Sequence, residues 1–329
     1  MKTNNTTSTI DILLVLWREC DALNKLYHIL QQQDYVHYRV LVALNDPNQY
    51  VEDNIPQDDK WYYFRGKNEG YAGGLERLWR HTESDWILCS NTDLTFSSTT
   101  LSQFAFAAAQ AAKDIGYIGP KILFEDGRLQ CAAGLLLGPE GLCKPRGIGE
   151  QNTTSYDDLD RVPVLSGCCF LIRKNVLEEV GGLDPAFFMY VEDVHLFLKA
   201  VWLGWMGQYV PEIEIIHEHG GSSERYGSLH LFHLERNHWW VSPQLPLSMV
   251  LLKPFYMLYR WLLLVFSNKG PSKNSMPKSS VFIAICAFVQ GILGMPRQYM
   301  SGHVKKISRQ KFFDIFEGHR ISMKDFMSK

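Results

Sequence analysis

Short apolar runs alternate with amphipathic stretches along the N-terminal part of the chain. Runs long enough for buried strands cover residues 10–17, 38–45, 61–66 and 85–93. Residues 21–32 place Leu23, Leu26 and Leu30 on one face of a helix, and the alanine-rich residues 104–113 predict another helix. Strands that alternate with helices form a mostly parallel sheet with helices on both faces. The pattern therefore predicts an α/β fold.

The middle of the chain predicts a second group of strands. They cover residues 117–124, 129–138, 162–174 and 207–217. A turn at Glu125, Asp126 and Gly127 joins the first two. The polar residues 147–161 predict a mobile loop, and a glycine- and serine-rich loop follows the last strand.

The composition indicates a large folded domain with an appendage. Of the 329 residues, 46% are hydrophobic and 13% aromatic, which is enough to bury a full core. The seven cysteines are scattered, odd in number and never spaced C-x-x-C. This usage indicates a reducing compartment and argues against a disulfide framework or a zinc site. The first residues carry neither a basic segment nor a long apolar run, so we predict no signal peptide.

Charge divides the chain unevenly. From Lys253 onward there are 13 Lys and Arg against 3 Asp and Glu, a net charge of +10, whereas the first 252 residues carry −12. The same C-terminal part holds two apolar stretches, residues 245–266 and 279–295. We therefore divide the chain into a domain at residues 1–244 and a basic, apolar, helical tail at residues 245–329.

The tail has the composition of helices that lie in a membrane interface, where Lys, Arg, Trp and Tyr flank apolar segments. On this interpretation, the basic residues that face anionic lipid are Lys269, Lys273, Lys278, Arg297, Lys305, Lys306, Arg309 and Lys311. Two alternatives stay open. The tail could pack on the main domain or on the second subunit of a homodimer, or it could span the bilayer, which Pro254 and the charges of the first stretch disfavour.

An acidic pair, Glu192 and Asp193, follows an aromatic run and opens a predicted helix. The free N–H groups at a helix start favour anionic side chains. A carboxylate held against aromatic rings can also accept a proton, because its surroundings set its pKa. A helix cap is the simpler interpretation of the pair taken alone.

Clusters of polar residues or glycines follow each of the first four strands, where open α/β sheets bind ligands. They contain Trp17, Asn45, residues 68–74, and Asn91 with Asp93. The glycines of the third cluster allow backbone contact with a base, ribose or phosphate. A carboxylate such as Asp93 suits a divalent cation on a diphosphate, whereas a turn at the strand end is the structural alternative. The sequence lacks G-x-G-x-x-G, which argues against a nicotinamide enzyme.

Six features follow one another within residues 165–205. They are the turn Ser166-Gly167-Cys168, a helix, Gly181-Gly182-x-Asp184, an aromatic loop, the pair Glu192-Asp193, and Gly204-Trp205. In this order they resemble the acceptor half of family 2 glycosyltransferases, especially the rhamnosyltransferase-like branch that builds bacterial surface polysaccharides. Three further segments resemble the family's nucleotide-pocket segment, metal motif and histidine loop: Asn68-x-Gly70-Tyr71-Ala72, Asn91-x-Asp93 and His217-x-x-Gly220-x-Ser222.

The resemblance implies a GT-A fold and an inverting, metal-dependent hexosyltransferase. A hexose, with rhamnose as the leading sugar, would pass from a nucleotide diphosphate sugar to a hydroxyl of a glycan or polyprenyl-linked glycan. Asp193 would be the base and Glu192 would orient the acceptor, while Asp93 and His217 would hold Mg²⁺ or Mn²⁺. The donor would contact Trp17, Asn45, Asn68, Gly70, Tyr71, Ala72, Gly73 and Asn91. The acceptor would contact Gly167, Cys168, Tyr190, Trp205, His219 and Ser222.

We accordingly expect a protein of the cytoplasm, bound peripherally to the anionic inner face of the cell membrane, with no nucleic-acid partner. The donor half departs from the family's pattern. Trp17-Arg18 stands in place of Asn, Leu44-Asn45 in place of Asp-Asn, and Glu76 in place of a later Asn. These departures leave the base and the donor open. A catalytically silent sugar-nucleotide binder or assembly scaffold therefore stays an alternative. A nucleotidyltransferase is weaker, because the loop after the first strand is not rich in glycine and basic residues.

Overall fold

The computed structural model describes residues 9–218, 227–266, 280–300 and 305–327. Its N-terminal part consists of β1 (Ile10–Leu16), α1 (Cys20–Gln31), β2 (Tyr38–Asn45), α2 (Gln49–Asn54), β3 (Trp61–Gly66), α3 (Gly70–Trp79) and β4 (Trp86–Ser90). Strand β1 pairs in parallel with both β2 and β4, and β2 pairs in parallel with β3. The α/β alternation predicted from the sequence is therefore confirmed.

The remaining strands extend the sheet beyond β4. The elements are β5 (Leu94–Phe96), α4 (Thr100–Gln110), β6 (Ile115–Leu123), β7 (Leu129–Cys131), β8 (Leu135–Leu137), β9 (Cys143–Pro145), β10 (Arg161–Val162), β11 (Cys169–Arg173), α5 (Lys174–Val180), α6 (Glu192–Trp202) and β12 (Met206–His217). The strand order is β10-β12-β6-β11-β4-β1-β2-β3, with β5 beside β12 and β7 beside β6. Strand β11 is antiparallel to both neighbours, whereas β6 and β12 are parallel. The sheet is thus mostly parallel, as predicted.

Two predicted strands are interrupted, so their predicted continuity was wrong. Only the two ends of residues 162–174 belong to the sheet, as the last residue of β10 and as β11. Residues 129–138 divide into β7 and β8, because Ala133 and Gly134 between them have φ values of +52° and +75°. Left-handed conformations end a strand, and an apolar pattern does not report them. Strand β8 then pairs with β9 in a separate hairpin.

Apolar side chains pack on both faces of the main sheet. Leu13 and Leu41 belong to a core cluster with α3 and α6, whereas Ile12 and Val40 belong to a second cluster with α1 and α4. Successive residues of a strand point to opposite faces. Central strands covered on both faces therefore appear in the sequence as unbroken apolar runs.

The C-terminal part is helical. It comprises α7 (Gly227–Trp240), α8 (Leu247–Phe266), α9 (Ser280–Met300), α10 (Arg309–Ile315) and α11 (Met323–Met327). Helix α9 approaches α7 closely, since a Cβ added at Gly291 or Gly294 would lie 2.8 or 2.3 Å from the Trp239 or Trp240 ring. In the part of the chain that the structure describes, no helix combines the length and apolar character needed to cross a bilayer.

The last helices return to the sheet domain. Phe312 of α10 stacks on Trp202 at the end of α6, with ring centroids 4.5 Å apart, and Phe316 is fully buried. The backbone of Leu137 in β8 exchanges hydrogen bonds with residues 319 and 321. The C-terminal residues therefore share a core with residues of the predicted first domain.

The helix α8 buries its charged residues. The ammonium group of Lys253, fully buried, donates to the carbonyl of His238 and to Ser242 Oγ. The Arg260 guanidinium donates to Glu140 at 2.6 Å and to both carboxylate oxygens of Glu235 at 2.7 and 2.9 Å. Charges that interrupt the apolar stretch in the sequence thus face the protein interior, where they bind α8 to α7 and to the β8–β9 turn.

Several basic residues assigned to lipid on sequence grounds have partners within the chain. Arg297 pairs with Asp184 at 3.1 Å, and Lys306 pairs with Glu179 at 2.9 Å. Lys269, Lys273 and Lys278 lie outside the described residues.

Candidate active site

A cleft of about 810 Å³ opens at the carboxyl ends of the parallel strands. Each of the first four strands contributes a residue just at or beyond its end: Trp17, Asn45, Asn68 and Asn91. The opposite wall comes from residues 166–168 before β11, from the loop before α6, and from α7. Parallel strands end at the same edge of a sheet, which is why segments far apart in sequence meet here.

The acidic pair lies at the start of α6 and lines this cleft. The backbone N–H of Gly167 donates to Asp193 Oδ2 at 2.8 Å, and the N–H of Val194 donates to Oδ1 at 2.7 Å. Burial raises the pKa of Asp193, while these two N–H groups oppose the rise by stabilising the carboxylate. The two N–H groups therefore favour the carboxylate form of Asp193, which is the form that accepts a proton.

Glu192 has a different environment. Burial raises its pKa to about 8, and the adjacent charge of Asp193 adds to the rise. Its Oε2 is buried and has no hydrogen-bond partner among the described residues. Two adjacent carboxyl groups whose surroundings separate their pKa values can take different roles. Burial thus favours the protonated form of Glu192, and in that form the carboxyl group can donate a hydrogen bond into the cleft.

The glycine-rich loop forms one wall of the cleft. Gly70 has φ +70°, and a Cβ there would lie 2.1 Å from the Phe188 carbonyl oxygen. Its own N–H donates to Asn68 Oδ1, and its carbonyl accepts from Asn45 Nδ2, both at 2.9 Å. Asn45 Oδ1 is buried in the cleft wall without a partner among the described residues. The loop thus brings backbone close to the cleft in a conformation that glycine adopts without strain.

Asp93 and His217 meet at the end of β4, with Oδ1 and Nε2 3.3 Å apart. The other ring nitrogen, Nδ1, lies 2.9 Å from Gln130 Oε1. If Nδ1 carries the proton and donates to Gln130, Nε2 directs a lone pair toward the Asp93 carboxylate. A cation shared by the two groups would relieve that repulsion, and the amide would fix the ring orientation.

The spacing of these two groups fits a divalent cation. Neighbouring ligands of an octahedral ion, each about 2.1 Å from it, lie about 3 Å apart. Within the described residues, no group of three or more His, Cys, Asp or Glu side chains could hold a metal ion. Asp93 and His217 can supply two ligands, and diphosphate oxygens and water can supply others.

The structure brings most of the predicted site residues into one cleft. Besides the residues described above, Tyr71, Cys168 and Tyr190 line it, and the Tyr71 hydroxyl donates to the Gly167 carbonyl at 2.8 Å. Ala72 and Gly73 lie behind this surface in α3. His219 and Ser222 lie outside the described residues.

Trp205 does not line the cleft. It follows the far end of α6 and packs against Gly116 and the core. An eleven-residue helix separates it from the acidic pair, which is about 16 Å at 1.5 Å per residue.

Glu76, which departs from the family pattern, accepts from Trp79 Nε1 and from the N–H of Leu183, so it joins α3 to the segment before α6.

Two contributions were missing from the sequence-based site. Gln130 comes from β7, whose short alternating pattern gives no sign that one residue faces His217. Arg236 and Asn237 of α7 are both buried and donate to the backbone of the loop before α6. An adjacent Arg-Asn pair on a helix indicates polar contacts, but the sequence pattern does not identify the partner of those contacts.

Two solved structures share this architecture. A mannosyltransferase from Pyrobaculum calidifontis, in complex with GDP-Man and Mn²⁺, has a TM-score of 0.53 at 12% identity, over 89% of this chain and 88% of that chain. GalNAc-T7 with UDP, GalNAc and Mn²⁺ has a TM-score of 0.57 at 14% identity, over 91% of this chain and 59% of that chain. At these identities the likeness concerns the fold, which is the GT-A fold of glycosyltransferases.

The family follows from the sequence comparison. The family model "Glycosyl transferase family 2" matches residues 11–181, more than half of the chain, and "Glycosyltransferase like family 2" matches residues 150–234. The protein belongs to glycosyl transferase family 2. The predicted family and fold are confirmed.

Two curated relatives match part of the chain. The N-acetylglucosaminyl-diphospho-decaprenol L-rhamnosyltransferase of Mycobacterium tuberculosis is 29% identical over 180 residues, which cover 48% of this chain and 58% of the relative. The low-salt glycan biosynthesis hexosyltransferase Agl10 of Haloferax volcanii is 24% identical over 197 residues, covering 58% and 61%. The chain thus spans less than two thirds of the length of these relatives.

Proposed function

We propose that the protein is an inverting glycosyltransferase that moves a hexose from a nucleotide diphosphate sugar to a hydroxyl of a glycan or lipid-linked glycan. Rhamnose is the first sugar to test, because a rhamnosyltransferase is among the relatives. One observation carries the proposal: Asp193, Glu192 and Asp93 line a single cleft at the strand ends. A base for an acceptor and a carboxylate for a diphosphate-bound cation are thereby available to one substrate pair.

In this mechanism, Asp193 accepts the proton of the acceptor hydroxyl. The acceptor oxygen forms a bond to the anomeric carbon as the bond from that carbon to the diphosphate oxygen breaks, and the electron pair leaves with the diphosphate. Attack on the face opposite the leaving group inverts the anomeric centre. The raised pKa of Asp193 makes it a better proton acceptor, and Glu192, protonated at pH 7, holds the acceptor by a hydrogen bond.

The donor would occupy the wall formed by the first four strand ends. Asn45 Oδ1 can accept a hydrogen bond from a base or ribose, since it has no partner among the described residues. Asp93 and His217 would bind Mg²⁺ or Mn²⁺, which would offset the negative charge that develops on the leaving diphosphate. Gln130 would keep His217 in the ligating orientation.

The decisive experiment compares Asp193→Asn with the parent. Purified proteins receive Mn²⁺, a panel of nucleotide diphosphate sugars that includes dTDP-rhamnose, and polyprenyl-linked and soluble glycan acceptors. We expect turnover to fall about 10²- to 10⁴-fold in Asp193→Asn, because a general base contributes that much. Asp53→Asn, at an exposed position of α2, is the matched control and should leave turnover unchanged.

Binding separates the outcomes. Stabilisation of the folded protein by nucleotide diphosphate and Mn²⁺ should persist in Asp193→Asn, because the donor wall is intact. Equal turnover in the variant and the parent would remove Asp193 as the base. Nucleotide binding without turnover in either protein, across the whole panel, would favour the silent scaffold.

We further propose that the helices α8 and α9 lie on the anionic inner surface of the cell membrane. In α8 the exposed apolar residues recur every three or four positions: Leu247, Leu251, Phe255, Leu258 and Leu262. The exposed apolar residues of α9 include Phe282, Ile285, Val289, Leu293 and Met300. Apolar patches of this kind mark contact with lipid or with another protein. The charged residues of α8 face inward, so this helix is apolar toward solvent and charged toward the protein.

The test is sedimentation with lipid vesicles. The parent should co-sediment with vesicles of phosphatidylcholine and phosphatidylglycerol, and less with phosphatidylcholine alone, because basic residues flank the helices. The double variant Leu251→Glu and Phe255→Glu should lose binding. A stable dimer in solution that the double variant abolishes, with no vesicle binding by the parent, would assign the surface to a second copy instead.

A further inference from the structure

The loop at residues 186–191, which connects the 3₁₀ turn at Pro185–Phe187 to α6, has an unusual backbone. Phe188, Tyr190 and Val191 have φ values of +65°, +67° and +69°. Side chains with a Cβ, and Val most of all, rarely adopt this region. Such conformations persist where surrounding contacts over-determine them. The contacts that hold this loop therefore identify residues on which the site depends.

Asn237 of α7 makes the densest set of these contacts. Its Nδ2 lies 2.8 Å from the Phe187 carbonyl oxygen, 2.9 Å from that of Met189 and 2.7 Å from that of Tyr190. The side chain is completely buried. One amide group thus satisfies carbonyls on either side of the residue with the first unusual φ.

Arg236 supports the same arrangement. Its Nη2 donates to the carbonyls of Ala186 and Phe187, each at 3.0 Å, and its Nε donates to Asn237 Oδ1 at 2.9 Å. The last bond fixes which way the Asn237 amide points, because the oxygen must face the guanidinium and the NH₂ group must face the loop.

Rings of the loop pack on the same face of α7. Phe188 stacks on His233 with ring centroids 5.1 Å apart, and Tyr190 contacts His230 at 4.4 Å. From the other side, the N–H of Ala72 donates to the Phe188 carbonyl at 3.0 Å. The loop is therefore held between α7 and the glycine-rich donor wall.

The loop in turn determines the position of the acidic pair. Val191 is the residue before α6, and its carbonyl accepts from the N–H of His195 in the first helical turn. Met189 and Tyr190 line the cleft beside Glu192 and Asp193. A change in the conformation of residues 188–191 would therefore displace both the acceptor wall and the first turn of the helix.

We propose that Asn237 is a positioning residue for acceptor transfer: it touches no substrate, and it holds residues 186–191 in the conformation that presents Tyr190 to the acceptor and orients Asp193. The proposal rests on the proposed function for its kinetic consequence. Asn237 is absent from the cleft lining, so its effect passes through the loop.

The experiment uses the full chain and two variants. Asn237→Leu removes the amide, and Asn237→Asp keeps its shape and the bond from Arg236 while removing the N–H donors. Asn24→Leu is the matched control, since Asn24 Nδ2 also donates to two backbone carbonyls, those of Cys20 and Asn54, away from the cleft. Amide hydrogen exchange and steady-state kinetics are measured on all four proteins.

We expect faster exchange confined to residues 186–195 in both Asn237 variants. The ratio kcat/KM for the acceptor should fall about 100-fold, because a misplacement of the reacting groups by about 1 Å lowers the rate by that much. Most of the fall should be in kcat. Stabilisation by UDP or dTDP with Mn²⁺ should match the parent, because the donor wall keeps its own hydrogen bonds. Asn24→Leu should show none of these changes.

Unchanged exchange at residues 186–195 in Asn237→Asp would overturn the proposal, whatever the activity. So would a parallel loss of donor binding and acceptor turnover, since that would indicate a general structural role. If Asn237→Leu does not fold, Asn237→Asp decides. If the parent transfers no sugar at all, the exchange result still tests the loop, so failure of the proposed function is distinguishable from failure of this inference.

Discussion

Replacement of Glu192 by Gln tests whether the acceptor site holds a protonated carboxyl group at neutral pH. Gln keeps the size of the side chain and a hydrogen-bond donor, but it cannot ionise. Since Glu192 is buried and its pKa is raised to about 8, we expect Glu192→Gln to turn over substrate at close to the parental rate at pH 7. Above pH 8 the parent should lose activity as Glu192 ionises beside Asp193, whereas the variant should not.

Glu192→Gln should also change how the free energy of unfolding depends on pH. The Glu192 carboxyl has its ordinary pKa of about 4.5 in the unfolded chain and about 8 in the folded protein. Between these values the folded state binds more protons than the unfolded state, so the free energy of unfolding falls as pH rises. The slope in the middle of the window is about 1.4 kcal/mol per pH unit. The stabilisation is complete below pH 4.5 and is lost as pH passes 8.

The measurement is urea unfolding of parent and variant at pH 5.5, 6.5 and 7.5, with the slope m compared to verify that the unfolded states are alike. The other groups, including Asp193, titrate in both proteins, so the difference between their pH dependences is assigned to Glu192. As pH rises, the free energy of unfolding of the variant minus that of the parent should increase by about 1.4 kcal/mol per pH unit. Parallel curves, with activity that declines identically above pH 8, would show that Glu192 is already ionised and would refute this assignment of roles.

Three further predictions concern the metal, the tail and the donor loop. Asp93→Asn should abolish the additional stabilisation that Mn²⁺ gives in the presence of UDP. A ligand at a free concentration of 100 Kd stabilises the protein that binds it by about 2.7 kcal/mol. A thermal shift equal to the parent's would exclude Asp93 as a metal ligand. Arg260→Ala should lower the free energy of unfolding by about 3–5 kcal/mol, because it leaves Glu235 buried without its partner, and Arg260→Met should show the same loss if the charge is what matters. Gly70→Ala should lower the free energy of unfolding by at least about 1–2 kcal/mol, because residue 70 has a positive φ. The added methyl group would also meet the Phe188 carbonyl oxygen, so acceptor turnover should fall. A variant as stable and active as the parent would contradict the close packing of the two loops.

Much of the site could be anticipated because its residues follow strands that the apolar pattern locates. Asn45, Asn91 and Asp93 come at or directly after β2 and β4, and parallel strands end at one edge, so their meeting follows from the fold class. Trp205 shows where this reasoning fails. It follows the helix that the acidic pair opens, and the length of that helix places it at the opposite end, against Gly116.

Contacts between distant segments were not predictable in the same way. Gln130 reaches His217 across 87 positions of the chain, and Asn237 reaches the Tyr190 carbonyl across 47. Periodicity shows which face of an element is apolar, but the polar partner on that face depends on which strands become neighbours. The charges of α8 are the clearest example, because Lys253 and Arg260 suggest an interrupted apolar stretch until their buried partners are known.

The amino-acid sequence by itself determined the α/β alternation, the edge of the sheet where ligands bind, and the acidic pair at a helix start, because each follows from local periodicity and chain order. The tertiary structure decided how strongly burial raises the pKa of Glu192, where the strand at residues 162–174 breaks to form the cleft wall, and which helix holds the loop at residues 186–191. These properties depend on burial and on partners that folding brings together, so no local pattern contains them.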